Sequence, residues 1–169
     1  YLVDGKNIVH VMSWHQVCED HKLAQDMEKI KEAGLIPEDK IRLGIIGDGA
    51  HWIWNRCKEI FPSAKEILDY YHCSEYVHDV ANAHYGKQTP EAQQWCEATL
   101  TRIYYGYREE VLGGLGRMKS KTQEVQDIID KFSRYLMHHG EKMDYDSARR
   151  GGYQIGSGAI ESANKFISH

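Results

Sequence analysis

The sequence predicts a mixed α/β domain joined to a long helical segment, on three observations. Short apolar runs bounded by turn signals occupy the first seventy or so residues, helical periodicity alternates with them there, and helical periodicity alone then continues to residue 139. With 169 residues the chain can bury a core of its own without disulfides or metals as staples. Apolar residues make up 41% and charged residues 27%, which is the balance of a globular protein and not of a disordered one. No run approaches the ~20 apolar residues that a membrane-spanning helix needs.

Each element has its own signal. Residues 1–12 predict a β-hairpin about Asp4-Gly5, a pair suited to the positive φ angles of a type I′ turn. Leu23, Met27 and Ile30 share one face of a helix predicted over residues 19–33, which Gly34 is placed to end. Pro37 marks a loop, and residues 41–46 form an apolar run that predicts a buried strand ending at Gly47-Asp48-Gly49-Ala50. A helix follows with Ile53, Cys57 and Ile60 inward, closed by Pro62. Residues 64–71 predict another strand, ending at Asp69-Tyr70-Tyr71-His72. Hairpin, helix, strand, helix, strand is the order of a mixed sheet.

Beyond the sheet the pattern is helical. Val77, Val80, Ala81 and His84 line one helix face. Pro90 opens a second helix with Leu100, Ile103, Tyr104, Tyr107 and Val111 as its stripe, broken by Gly113, Gly114 and Gly116. Val125, Ile128, Ile129, Phe132 and Leu136 mark a third helix over residues 123–139. A loop about Arg149-Arg150-Gly151-Gly152 leads to Gly156-Ser157-Gly158, where a last helix begins with Glu161 in its first turn. The chain thus divides into an α/β core over residues 1–73, a helical insertion over 74–148, and a return to the core over 149–169.

The net charge of −4 gives no general attraction for nucleic acid, so any contact with DNA has to use a local basic patch. Cys18, Cys57, Cys73 and Cys96 are widely spaced, form no C-x-x-C pair and read as free thiols of a reducing compartment. A zinc site from Cys57, His72, Cys73 and His78 lacks the usual ligand gaps. Trp54 and Trp95 are expected in the core, whereas Trp14, Tyr70 and Tyr71 are left open between core and base stacking. No G-x-G-x-x-G spacing supports a dinucleotide site, and no paired Asn follows Gly47-Asp48-Gly49 as a thiamine diphosphate motif requires.

Three carboxylates stand out. Asp48 lies at the carboxyl end of a buried strand between two glycines, where open α/β sheets place ligands and where the backbone can turn sharply. The alternative is a cap on the following helix. Asp69 ends the next strand, with His72 three residues on, and strand neighbours ~5 Å apart would bring it beside Asp48. Its alternative is also a helix cap, with His72 in the core. Glu161 follows a flexible glycine segment and has Arg149, Arg150 and Lys165 around it in sequence, a setting for a metal and a phosphate backbone or for a solvated charge cluster.

Taken together, these motifs resemble one family. Residues 47–54 resemble the second-Asp motif of the ISKra-type bacterial insertion-sequence transposases, which are similar to the Mutator-like group. Asp69-Tyr70-Tyr71-His72 resembles the D-x-x-H motif of that broad group, and Gly156-Ser157-Gly158-Ala159-Ile160-Glu161-Ser162 resembles the segment bearing its catalytic Glu. The three occur in the family's order, over most of the chain. The resemblance implies an RNase H-like mixed sheet with a helical insertion between the second Asp and the Glu. It implies Asp48 and Glu161 as catalytic metal ligands, Asp69 and His72 in support, and Arg149, Arg150 and Lys165 against DNA. It also implies two Mg²⁺ or Mn²⁺ ions, phosphodiester cleavage and strand transfer at double-stranded transposon ends, a homo-oligomer on DNA, and the bacterial cytoplasm and nucleoid as the place of action. Two hard cations ~3.5–4 Å apart, held by carboxylates, suit the in-line displacement.

The family also needs a first Asp on a strand beside that of Asp48. Asp4, in a hairpin turn, does not suit that role, so this Asp is expected upstream of residue 1 and the chain is expected to be a piece of a longer protein, inactive alone. Two other functions compete: a metal-dependent phosphoesterase without preference for transposon ends, and a non-catalytic DNA-binding or interaction protein derived from a transposase. The carboxylates weigh against the last, because beside DNA they oppose binding unless a metal neutralises them.

Overall fold

The computed structural model describes residues 2–4, 7–9 and 20–157, with side chains from residue 22 onward. Its elements are β1 (Leu2–Asp4), β2 (Asn7–Val9), α1 (Asp20–Glu32), β3 (Gly44–Gly47), α2 (His51–Ile60), β4 (Lys65–Leu68), α3 (Tyr70–Tyr85), α4 (Pro90–Tyr104), α5 (Arg108–Arg117), α6 (Gln123–His139) and α7 (Tyr145–Arg150), with a 3-10 turn at Gly140–Lys142. The chain is mixed α/β and mostly helical. No described helix is long and apolar enough to cross a membrane.

Of the expected mixed sheet, the described strands form two separate pairs, one antiparallel and one parallel. β1 and β2 are antiparallel with Asp4 opposite Asn7, so the hairpin closes one residue later than Asp4-Gly5 suggests. At three residues each, these strands satisfy their ladder with one another. β3 and β4 are parallel, with Gly44 opposite Lys65 and Gly47 opposite Leu68.

The parallel pair is small but thoroughly covered. Ile67 and Leu68 are 1% and 0% exposed although they point to opposite faces, as a strand buried on both sides requires. Gly44 and Gly47 likewise face opposite sides. A Cβ on Gly44 would lie 2.8 Å from the Tyr153 ring, and one on Gly47 would lie 3.0 Å from the Trp54 indole. The two glycines thus let aromatic rings close directly on the backbone.

The helices share one core with the strand pair. Cys73, Val77, Val80 and Ala81 of α3 meet Ala92, Cys96 and Ile103 of α4, Val111 and Leu115 of α5, and Ile129, Phe132 and Leu136 of α6, continuous with Trp54, Ile67 and Leu68. Local chemistry sets the helix starts. Asp69, Thr89, Thr122 and Asp144 each accept a backbone N–H at their helix's first turn. Pro90 follows Thr89 at a position where its missing N–H costs nothing. Trp54 is buried and Trp95 half-buried, both against the core as expected, and Cys57, Cys73 and Cys96 are free and buried. Cys18 and Trp14 lie outside the described residues.

Two further expectations shift. The helix break falls at Gly106, at φ +83°, and not at Gly113, Gly114 and Gly116, which lie inside α5. A left-handed residue is what lets the backbone turn from α4 into α5, and glycine alone takes that conformation without strain. Arg149 and Arg150 form the last turn of α7 and not a loop, because Asp144 caps that helix through Ser147 N–H. α3 runs unbroken across residue 73.

Phe132 is fully buried where α3 and α6 meet. Phe132→Ala is expected to lower the unfolding free energy by about 3–5 kcal/mol in urea denaturation. A loss within ~1 kcal/mol would mean this contact is not part of the core.

Candidate functional site

The carboxyl ends of β3 and β4 place Asp48 and Asp69 side by side. Asp69 N–H donates to Gly47 C=O at 2.8 Å, which continues the ladder one step past the last strand residues. The two aspartates are treated differently. Asp48 is exposed, its Oδ1 accepts from Ala50 N–H at 3.0 Å, and no described Lys or Arg pairs with it. Asp69 is 8% exposed and its Oδ1 accepts from Tyr71 N–H at 2.9 Å and from Ser157 N–H at 3.4 Å.

Asp69 therefore does cap a helix, and that helix begins at Tyr70, inside the run expected to be strand. It also holds the 155–157 segment. Tyr70 N–H donates to Ile155 C=O at 2.9 Å, and a Cβ on Gly156 would lie 2.6 Å from the Tyr71 ring and 3.4 Å from Asp69 Oδ1. Only a glycine permits this approach. The glycine-rich segment that precedes Glu161 in sequence is thus fixed to the Asp69 strand end as far as Ser157. Glu161 and Lys165 lie outside the described residues.

His72 sits in the first turn of α3, with Nδ1 3.1 Å from Glu75 Oε2 and its ring edge-on to Tyr76 and Tyr135. Arg149 stacks 3.6 Å over the Tyr104 ring, donates to Tyr104 C=O and pairs with Asp146 at 3.1 Å. Its guanidinium is built into the helical core. Arg150 is exposed and pairs with the other oxygen of Asp146. Cys57, Cys73, His72 and His78 do not form a cluster: among the described residues no three His, Cys, Asp or Glu side chains gather as a metal site.

The structure adds residues that sequence reasoning missed. The carboxyl end of α6 brings Tyr135 and His139 to the two aspartates. The His139 ring packs on Gly49, where a Cβ would lie 3.0 Å from it, and faces His51 at 6.3 Å and Tyr135 at 4.9 Å between ring centroids. Tyr76 stacks on Tyr135 at 4.1 Å. Burial raises the Tyr135 phenol far above its ordinary pKa, and the nearby Cys73, Tyr76, Asp69 and Asp48 add to this. Its hydroxyl is buried with no partner among the described residues. Such a group costs about 1–3 kcal/mol. A signal for Tyr135 existed, since it lies three residues beyond Phe132 on the α6 stripe. No spacing relates residue 139 to residue 49.

No family model matches the chain, and no curated protein or solved structure shows significant similarity to it. An exposed carboxylate without a described protein cation, beside a second carboxylate whose Oδ1 is held by two backbone N–H groups, offers hard oxygen ligation at Asp48 and a fixed scaffold at Asp69.

Burial lowers the His139 pKa below 6.5, and His51, His138, Lys142 and His72 lower it further. The folded chain then binds fewer protons than the unfolded chain just below pH 6.5. The stabilisation is present above that pH and is lost as pH falls through the lowered folded value. The thermal midpoint is expected to drop between about pH 7 and pH 5, and to drop less in His139→Gln. Equal drops in the two proteins would remove His139 from the account.

Proposed function

We propose that the chain is the catalytic domain of a DDE-type transposase with an RNase H-like core, cleaving and joining DNA at transposon ends. The observation that carries this reading is the anchoring of the 155–157 segment on Asp69. It brings the sequence leading to Glu161 to the strand end that also presents Asp48.

In this reading Asp48 and Glu161 hold the metal, and Asp69 positions both. Asp69 commits its Oδ1 to two backbone N–H groups, which makes it first a positioning residue. It fixes the strand end beside Asp48 and the segment leading to Glu161. The donor set fits magnesium or manganese, two ions in this chemistry, whose contribution when bound is to neutralise the phosphodiester and acidify water. His72, oriented by Glu75, and His139, kept neutral by burial, supply proton acceptors beside the carboxylates. Arg150 and Lys165 are the side chains assigned to the DNA backbone, and Arg149 shapes that edge through its stack on Tyr104. Synapsis of two DNA ends calls for a homo-oligomer, and the bacterial cytoplasm and nucleoid are the place of action this reading assigns.

Calorimetric titration with Mn²⁺ tests the metal assignment. The wild-type chain is expected to bind, and both Asp48→Asn and Glu161→Gln are expected to lose binding at least tenfold. Equal binding by all three proteins would refute a shared site.

A further inference from the structure

We infer that Arg117, Lys119 and Lys121, at the junction of α5 and α6, form a contact surface for the backbone of duplex DNA, apart from the Asp48 site. The inference rests on the DNA partner proposed above and on nothing in the carboxylate site itself. It supplies the local basic patch that a chain of net charge −4 needs for nucleic acid.

The three cations fall within the run Arg117-Met118-Lys119-Ser120-Lys121, which holds no carboxylate. All three are exposed, and none makes an ion pair with a described carboxylate. Glu124, three residues beyond Lys121, is exposed and makes no ion pair with it. Cations nearby along the chain are less free. Arg102 pairs with Glu110, and Arg108 with Glu109. Arg149 and Arg150 share Asp146, so two positive charges are offset there by one carboxylate.

The fold also fixes how this segment is presented. Met118 packs against the helical core, and its N–H donates to Leu115 C=O at 3.1 Å. Ser120 Oγ donates to Gln126 Oε1 at 2.7 Å, and Thr122 then caps α6 through Val125 N–H. Exposure alternates accordingly: Met118 and Ser120 are half-buried, whereas Lys119 and Lys121 are exposed. Alternate side chains of an extended segment leave the same side about 6.6 Å apart, a step comparable with that between successive phosphates of one strand. Arg117 ends α5 with its guanidinium back over Gly113, where a Cβ would lie 3.3 Å from Nη1. A segment tied down at both ends loses little freedom on binding. Neighbouring like charges repel one another, and a row of phosphates relieves that repulsion. The cations precede the first turn of α6, and His139 is its last residue. At 1.5 Å per residue the ends of α6 are about 25 Å apart, so a duplex running from the Asp48 site to the cations would span about seven base pairs.

The test is fluorescence anisotropy of an end-labelled duplex of about 20 base pairs and arbitrary sequence, titrated with the whole chain in EDTA from about 50 to 200 mM salt. The wild type is compared with the triple variant Arg117→Gln, Lys119→Gln, Lys121→Gln. A second triple variant, Lys40→Gln, Lys58→Gln, Lys87→Gln, removes the same charge from exposed positions elsewhere. The first variant is expected to bind about tenfold or more weakly at the lowest salt, with a slope of log affinity against log salt shallower by about 2–3. The second is expected to keep the wild-type slope, and both are expected to keep the wild-type thermal midpoint. Equal losses in the two variants, no loss in the first, or no binding by the wild type would each overturn the inference. So would a poly-glutamate peptide that displaces the duplex from the wild type as well as unlabelled duplex does, since the surface would then serve an acidic protein. Metal is absent from this test. Duplex binding through these cations without Mn²⁺ binding at Asp48 would therefore keep the surface and refute the carboxylate assignment, and the opposite pair of results would refute the surface alone.

Discussion

Asp69 is the point where the strand pair, α3 and the 153–157 segment are tied together. Its backbone N–H extends the β3–β4 ladder, and its carboxylate caps α3 and reaches Ser157. At 8% exposure, the carboxyl group is accommodated by the two backbone N–H donors on its Oδ1. The same requirement forces Gly156 against Tyr71, since any side chain there would push the donors away. Asp48 stays exposed, and its one described hydrogen bond is the local one from Ala50 N–H. One carboxylate is thus buried in the architecture, and its neighbour remains open to solvent.

The surroundings of this pair are less favourable to the fold than the helical core is. Phe132, Leu136, Val77 and Val80 are close to fully buried, whereas one turn away lie a phenol with no partner among the described residues and an imidazole whose charged form is disfavoured. α6 contributes to both regions. Its middle packs on α3, and its carboxyl end walls the site with Tyr135 and His139. The helical segment is therefore part of the site and not an appendage to it. Departures from local optimality grouped at one strand end mark it as the candidate site.

Much of this was legible in the sequence, and the reasons for the rest are specific. The strand at residues 44–47 and the helices over residues 20–32, 51–60 and 123–139 were visible because apolar spacing acts locally, and the start of α4 was visible at Pro90. The start of α3 was missed because Tyr70 and Tyr71 favour strands, and only the Asp69 cap turns them into a helix. The α4–α5 break was misplaced because three glycines in α5 outnumber the one, Gly106, that takes a positive φ. Asp48 and Asp69 stood out by position at strand ends. Tyr135 and His139 did not, because their relation to Gly49 and Asp69 exists only after α6 has packed.

The central claim is that Asp48, the Asp69 strand end and the glycine segment form one metal-binding locus. Paramagnetic broadening by substoichiometric Mn²⁺ in an amide spectrum of the chain tests it most directly. The account predicts that the amides of Asp48, Gly49, Ala50 and Ser157 broaden first, while those of α4 and α5 stay sharp. Broadening centred on Glu109 and Glu110 of α5, or uniform over the surface acidic residues, would contradict it.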